Sequence, residues 1–258
     1  MSSSESFRAR LRAREVLVAP LVTLSAPEVT ELLAEVGYDW IFIDAEHTPI
    51  EPPQIQAILQ AAGPTPCVVR LPSSDSVSIA KSLDAGAAGI IVPQVNSALQ
   101  ARQVADAARY APLGKRGRGV GRAHRYGLKL AEYSATANDT VAVIVQAEHK
   151  DAVADIRQIV RVEGVDAVLI GPYDLSSSMG RPWEISHPDV VAAIATVHAA
   201  CIEVGMPIGI FGLSAEAVAP YIDQGFTMIV VGVDVLMLGD AAKASLSHVR
   251  HAVGIPNP

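Results

Sequence analysis

The sequence predicts an α/β fold, an eight-stranded (β/α)8 TIM barrel that forms a single domain over residues 1–258. The length of 258 residues matches the roughly 250 residues typical of this barrel. Half of the residues are hydrophobic and 18% are charged, so the chain can bury a large core. Apolar runs alternate with amphipathic stretches along the whole chain. An open doubly wound sheet is the alternative, but the first strand–helix turn lacks Gly-x-Gly-x-x-Gly.

The predicted strands are near-continuous apolar runs, as expected for parallel strands that are covered on both faces. They span residues 16–24, 39–44, 67–72, 89–95, 141–146, 166–172, 207–212 and 227–235. Each is followed by a helical pattern that usually ends at a glycine or polar turn, and these patterns span 27–37, 50–63, 75–86, 97–110, 150–164, 188–205, 214–225 and 236–251.

Two segments lie outside this alternation, and a tail follows its last helix. A basic amphipathic helix within residues 1–15 should cover the N-terminal end of the barrel, and residues 236–258 should form the last helix and a tail. The one long irregular connection is predicted at 111–130, and such length usually has a functional reason.

Charge and cysteine usage narrow the possible classes of function. The net charge of −7 argues against a nucleic acid partner. Cys67 and Cys201 lie far apart in apolar contexts, so we expect two buried free thiols, which suit a reducing cytoplasm. The N-terminus lacks the apolar stretch of a secretory signal, and no run approaches the ~18 residues of a membrane span. We therefore expect a cytoplasmic protein without membrane contact.

Two acidic residues follow neighbouring predicted strands. Glu148 comes just after the run VAVIVQ, and Asp174 comes just after DAVLIGP. Because neighbouring strands lie about 4.8 Å apart, the two carboxylates can share one cation. Carboxylates without histidine or cysteine favour Mg²⁺ or Mn²⁺ over zinc. The alternative is that both acids cap local turns and helices.

A second group of polar residues ends the second and third predicted strands. Arg70 closes CVVR and would present a bidentate donor to a carboxylate or enolate oxygen. The alternative is a salt bridge that holds a loop. Asp44 precedes His47 by three residues, so its carboxylate can orient the imidazole as a base. The alternative is a loop histidine with local hydrogen bonds.

The positions of the lysines favour one mechanism. None of them closes a predicted strand, whereas a Schiff-base mechanism needs a desolvated lysine in the pocket. Metal-assisted enolate chemistry is therefore preferred, without an organic cofactor. The 111–130 connection is rich in basic residues, which could attract anionic substrates. The alternative is a solvated or inter-subunit loop. These basic residues are Lys115, Arg116, Arg118, Arg122 and Arg125.

Five motifs together resemble the HpcH/HpaI family of metal-dependent pyruvate aldolases. They are FIDAEHTP, VVRLP, SLDAGAAGIIVPQV, VQAE and VEGVDAVLIGPYDLSSSMG, and the resemblance runs from about residue 7 to 240. It implies a (β/α)8 barrel that assembles as a hexamer, a trimer of dimers with a swapped eighth helix. It also implies cleavage of 4-hydroxy-2-oxo acids to pyruvate and an aldehyde, with Mg²⁺, Mn²⁺ or Co²⁺.

The resemblance also implies roles for individual residues. Glu148 and Asp174 match the metal ligands. The catalytic residues would be Asp44, His47, Arg70 and Asp84, with Asp84 as a further acid of the Asp44–His47 network. The pyruvate contacts would be Arg70, Gln146, Gly171, Pro172, Tyr173 and Asp174. The chain departs from the family at positions that line the aldehyde end of the pocket, namely Leu21, Thr48 and Tyr173.

Two other functions remain open at this point. The same barrel end could cleave a CoA thioester or decarboxylate oxaloacetate, and a CoA substrate would need the basic 111–130 connection for its phosphates. The second is a non-catalytic protein that binds 2-oxo acids. Pyruvate enolisation would separate this binder from an enzyme.

Overall fold

A computed structural model describes residues 5–254 of the chain. The eight strands close into one barrel in which all neighbouring pairs are parallel, including the first with the last. The strands are β1 (Leu17–Val22), β2 (Ile41–Asp44), β3 (Cys67–Arg70), β4 (Gly89–Val92), β5 (Ala142–Ala147), β6 (Ala167–Ile170), β7 (Ile208–Gly212) and β8 (Met228–Val233). The predicted (β/α)8 barrel is confirmed, while residues 1–4 and 255–258 of the predicted domain lie outside the described residues.

The helices surround the barrel and cover one of its ends. They are α1 (Phe7–Arg12), α2 (Pro27–Val36), α3 (Pro52–Ala61), α4 (Ser76–Asp84), α5 (Ala98–Ala108), α6 (Leu130–Thr140), α7 (Lys150–Ile159), α8 (Pro172–Ser178), α9 (Pro188–Val204), α10 (Ala215–Ile222) and α11 (Asp234–Ala252). A 3-10 turn lies at Arg122–His124.

Local capping explains where several helices begin and end. The carboxylate of Asp75 accepts hydrogen bonds from two backbone amides in the first turn of α4. The hydroxyls of Ser97 and Ser214 cap α5 and α10 in the same way. Helices α2 and α9 end at Gly37 and Gly205, which have left-handed φ of 96° and 70°.

Helix α1 closes the N-terminal end of the barrel, as expected. Phe7 and Leu11 are buried against the apolar side chains inside the barrel. Arg8 donates to Asp166 over 2.7 Å, and both side chains are nearly inaccessible to solvent. With this end covered, the C-terminal ends of the strands form the open end.

The structure differs from the sequence prediction in two helices and several boundaries. Helices α6 and α8 were not predicted. Strand β4 ends at Val92 rather than at 95, because Gln94 takes a left-handed φ of 54°. Cys67 and Cys201 are buried free thiols, as predicted. Between residues 5 and 254, no helix has both the length and the apolar character needed to cross a membrane.

Candidate active site

A cavity of about 310 Å³ lies among the C-terminal ends of the strands. In this barrel, chemistry takes place at that end. Seven of the ten predicted catalytic, substrate-binding and metal-binding residues line the cavity: His47, Arg70, Gln146, Gly171, Pro172, Tyr173 and Asp174. The other three, Asp44, Asp84 and Glu148, are not part of its lining. Apolar side chains form much of the remaining wall, including Leu21, Phe42, Leu169, Trp183, Phe211 and Leu213. Among residues 5–254, no lysine is part of the cavity lining.

Glu148 follows β5 and is held on both carboxylate oxygens. Its Oε1 accepts the backbone amide of Gln94 over 2.8 Å, and its Oε2 accepts the side-chain amide of Gln146. Its side chain is buried. Burial, together with the nearby charges of Glu46 and Asp174, raises the pKa of Glu148 to about 7. A cation at this site would therefore relieve an electrostatic cost.

Asp174 lies in the first turn of α8, at the rim of the same cavity. Pro172 is the first residue of this helix, and proline is favourable there because the N–H at that position has no partner within the helix. Gly171, just before it, passes very close to Glu148. A Cβ at residue 171 would lie 3.0 Å from Gln146 Nε2 and 3.1 Å from both Cβ and Oε2 of Glu148. A larger residue at 171 would force Gln146 or Glu148 to shift by a few tenths of an ångström.

Arg70 and Asp44 form a bidentate ion pair across neighbouring strands. They are opposite each other in the β2–β3 register. Arg70 donates from Nε to Oδ1 over 2.9 Å and from Nη2 to Oδ2 over 2.8 Å. Asp44 is buried, and the side chain of Arg70 is 11% exposed. Such a fork fixes the plane of the guanidinium.

Glu46 is a third carboxylate near these residues, and it was not among the predicted site residues. Its Oε2 lies 3.3 Å from Arg70 Nε. Burial, followed by the charges of Asp44 and Asp174, raises the pKa of Glu46 to about 6, against the opposing effect of Arg70. Negative charge is therefore concentrated beside the cavity.

His47 lines the cavity, but among the described residues its imidazole makes no hydrogen bond with the carboxylate of Asp44. The carboxylate of Asp44 accepts from Arg70 and from the backbone amides of Glu46 and His47. The imidazole Nε2 instead lies 3.7 Å from Glu46 Oε2, and the His47 side chain is 63% exposed. Asp44 therefore shapes the loop after β2, while Glu46 is the acid beside the imidazole.

Asp84 does not join this network within one chain. It ends α4, the helix that leads back to the start of β4, and its carboxylate accepts from Arg116 over 2.7 Å. The basic 111–130 connection is also absent from the cavity lining. Arg116 is buried against Tyr110 and Tyr133, and Arg122 donates to two backbone carbonyls. In the single chain Arg116 and Arg122 therefore hold the loop, and none of the five basic residues lines the cavity.

Comparison with known proteins agrees with the geometry of the site. Residues 21–241 match the family model described as HpcH/HpaI aldolase/citrate lyase. The chain belongs to the HpcH/HpaI family. It is 42% identical to a hydroxypyruvate/pyruvate aldolase of Sagittula stellata over 92% of this chain and 95% of that protein. It is 40% identical to a 4-hydroxy-2-oxo-heptane-1,7-dioate aldolase of Shigella sonnei over 93% and 92%.

A solved HpcH/HpaI structure has the same fold throughout. The family protein from Burkholderia cenocepacia superposes with a TM-score of 0.91 at 35% identity, covering 94% of this chain and 98% of that one. Both named relatives are aldolases, and aldolases are carbon–carbon lyases. These relationships support an aldolase function for this HpcH/HpaI chain.

HpcH/HpaI enzymes generally depend on a divalent metal, and the residues of this chain fit such an ion. Glu148 and Asp174 offer hard oxygen donors. Two buried oxygens beside them, Gln146 Oε1 and Glu46 Oε2, have no hydrogen-bond partner among the described residues. Within residues 5–254 no group of three or more His, Cys, Asp or Glu is arranged to hold a metal. Two carboxylates would leave about four octahedral positions for substrate and water.

Sequence reasoning missed three contributors to this HpcH/HpaI site. Glu46 lies between Asp44 and His47, which were predicted site residues. Its position just after the second predicted strand could have indicated it. The backbone amide of Gln94 acts through a left-handed conformation that the sequence does not reveal. Trp183 lies between two helices, in a stretch without periodicity, and gave no signal.

Proposed function

We propose that the chain is a divalent-metal-dependent aldolase that cleaves 4-hydroxy-2-oxo acids to pyruvate, or a related 2-oxo acid, and an aldehyde. The same site would run the reverse addition. The observation that carries this proposal is that Arg70 and Asp174 line one cavity, while Glu148 lies close enough to Asp174 for their charges to interact and binds the lining residue Gln146. The aldolase names of the relatives from Sagittula stellata and Shigella sonnei support it.

Glu148 and Asp174 would hold the cation, which we propose to be Mg²⁺ or Mn²⁺, with Co²⁺ as a substitute. When bound, the ion supplies Lewis-acid stabilisation of the negative charge that develops on the 2-oxo oxygen. The hydrogen bonds from Gln94 and Gln146 orient the carboxylate of Glu148 toward this task.

Arg70 would stabilise the enolate oxygen. Its Nε and one N–H of Nη2 bind Asp44, and this leaves Nη1 and the second N–H of Nη2 as donors with fixed directions. The substrate carboxylate would lie at the start of α8. Gly171 donates its amide to Ala147 and Pro172 has no N–H, so the first-turn amide of Tyr173 is the nearest donor.

His47 would move the proton. In cleavage, the imidazole takes the proton of the 4-hydroxyl group, the C3–C4 bond breaks, and its electron pair becomes that of the enolate. The aldehyde leaves, and a proton returned to C3 gives pyruvate. An exposed imidazole at the cavity mouth is accessible for such a proton transfer. Glu46, close to Nε2, would stabilise the protonated ring.

Cleavage of a 4-hydroxy-2-oxo acid, with pyruvate detected through lactate dehydrogenase, tests this proposal. The wild-type protein should lose activity with EDTA and regain it with Mn²⁺. Glu148→Gln should lower kcat/KM at least a hundredfold, while Glu163→Gln, an exposed acid after α7, should leave it unchanged. Full activity of Glu148→Gln in chelated buffer would refute the proposal.

We further propose that the chain forms a homo-oligomer through α11, with a hexamer of three dimers as the expected assembly. Asp234 is the only buried residue of this 19-residue helix. Exposed apolar side chains lie along it, including Leu238, Leu246 and Val249, and Leu32 and Val36 extend this surface on α2. Light scattering after gel filtration tests it, and a monomer of 27 kDa would contradict it.

A further inference from the structure

One side of the active-site cavity is an apolar wall of four side chains, Tyr173, Trp183, Phe211 and Leu213. The ring centroids of Tyr173 and Trp183 are 5.7 Å apart, and those of Tyr173 and Phe211 are 6.1 Å apart. These separations are within the range of favourable aromatic pairs. The wall is therefore a continuous surface built from the start of α8, the loop before α9 and the end of β7.

Trp183 is the unusual member of this wall. Its side chain is 79% exposed, although a large aromatic residue gains free energy from burial. Its φ is 68°, a left-handed conformation that is unfavourable for a bulky side chain. Such strain is frequent where a residue contacts a ligand. An apolar ligand in the cavity would cover the indole and recover part of this cost.

The charges around the cavity disfavour a second carboxylate on the substrate. Arg70 is the only arginine or lysine in its lining within the described part of the chain. Its guanidinium is paired with Asp44 and lies 3.3 Å from Glu46. A carboxylate at the distal end of an aldehyde would meet rings and leucine rather than a cation, and its desolvation would be uncompensated.

We propose that this wall makes the chain select aldehydes with an aromatic or extended apolar side chain over aldehydes with a terminal carboxylate. The inference rests on the proposed aldolase function, because it assigns the aldehyde to the part of the cavity that the 2-oxo acid leaves free. Tyr173 and Trp183 are then residues that determine specificity. They contact the distal part of the aldehyde.

The test compares kcat/KM for addition of pyruvate to 3-phenylpropanal and to succinic semialdehyde, with Mn²⁺ present. The two aldehydes share a two-carbon chain and differ in its terminal phenyl or carboxylate group. We expect at least a tenfold preference for 3-phenylpropanal. Equal rates, or a preference for succinic semialdehyde, would overturn the inference.

Three variants test the wall itself. Trp183→Ala should reduce the preference about tenfold, as expected for loss of one large apolar contact, and Trp183→Phe should retain most of it. Tyr126→Ala is the matched control, since Tyr126 is also an exposed aromatic residue with left-handed φ but lies outside the cavity. An unchanged preference in Trp183→Ala would overturn the assignment.

Hydrogen–deuterium exchange at C3 of pyruvate, measured without aldehyde, distinguishes failure of the proposed aldehyde preference from failure of the proposed aldolase function. Metal-dependent exchange with no preference for 3-phenylpropanal overturns this inference and leaves the proposed aldolase function in place. The absence of exchange overturns the proposed function and the inference with it.

Discussion

Gly171→Ala is the substitution that this structure evaluates most directly. The new Cβ would lie 3.0 Å from Gln146 Nε2 and 3.1 Å from Cβ and Oε2 of Glu148, closer than nearly all real Cβ contacts. The neighbours must therefore shift by a few tenths of an ångström. Overpacking of this kind costs about 1–3 kcal/mol of folding free energy. Because the displaced groups are a metal ligand and its hydrogen-bond donor, we expect Mn²⁺ affinity to fall by about 10- to 100-fold.

Isothermal titration with Mn²⁺ measures this effect, and thermal unfolding of the metal-free protein measures the cost to folding. Gly117→Ala is the matched control, because a Cβ there meets nothing within 4 Å. The control should bind Mn²⁺ like the wild type. If Gly171→Ala binds Mn²⁺ with unchanged affinity and folds normally, then Glu148 does not hold the metal in the orientation described.

Two further predictions concern the charges of the site. Asp44→Asn should destabilise the protein by about 3 kcal/mol, because it leaves the buried Arg70 without its fork, and urea denaturation with an unchanged slope would measure this. A decrease in the free energy of unfolding below about 1 kcal/mol would show that Glu46 takes over from Asp44 as the ion-pair partner of Arg70. In metal-free protein, Glu148 and Glu46 have raised pKa values of about 7 and about 6, so the folded state binds their protons more tightly than the unfolded chain does. Stability in EDTA should therefore fall as the pH rises from about 4.5 to 7, by on the order of 3 kcal/mol from Glu148. Mn²⁺ affinity should fall as the pH drops below about 7, since the metal displaces a proton; a flat pH profile of both quantities would refute these shifts.

The barrel could be predicted from the sequence because parallel strands that are covered on both faces consist of continuous apolar runs. The same logic predicted Glu148 and Asp174 at the same end of the barrel, since each follows such a run, and the charge of Asp174 acts on Glu148 in the structure. Helix α6 could not be predicted in this way. Ala137 is its only buried residue, so the segment carries little helical periodicity.

Pairings between side chains were harder to predict than positions. Asp44 lies three residues from His47 and 26 residues from Arg70, yet its carboxylate binds Arg70. The β2–β3 register sets that pairing, and register is a property of the folded barrel. The partner of Asp84 could not be predicted either. Its motif does not reveal that the carboxylate, at the end of α4, binds Arg116.

We propose that Glu148 and Asp174 hold a cation that promotes the enolisation of pyruvate. The most direct measurement is the rate of deuterium incorporation at C3 of pyruvate, followed by proton NMR with Mg²⁺, with EDTA and in Asp174→Asn. We predict exchange with Mg²⁺, loss of exchange with EDTA, and at least a hundredfold slower exchange in Asp174→Asn. Exchange that persists in EDTA at the wild-type rate, or in Asp174→Asn, would contradict the claim.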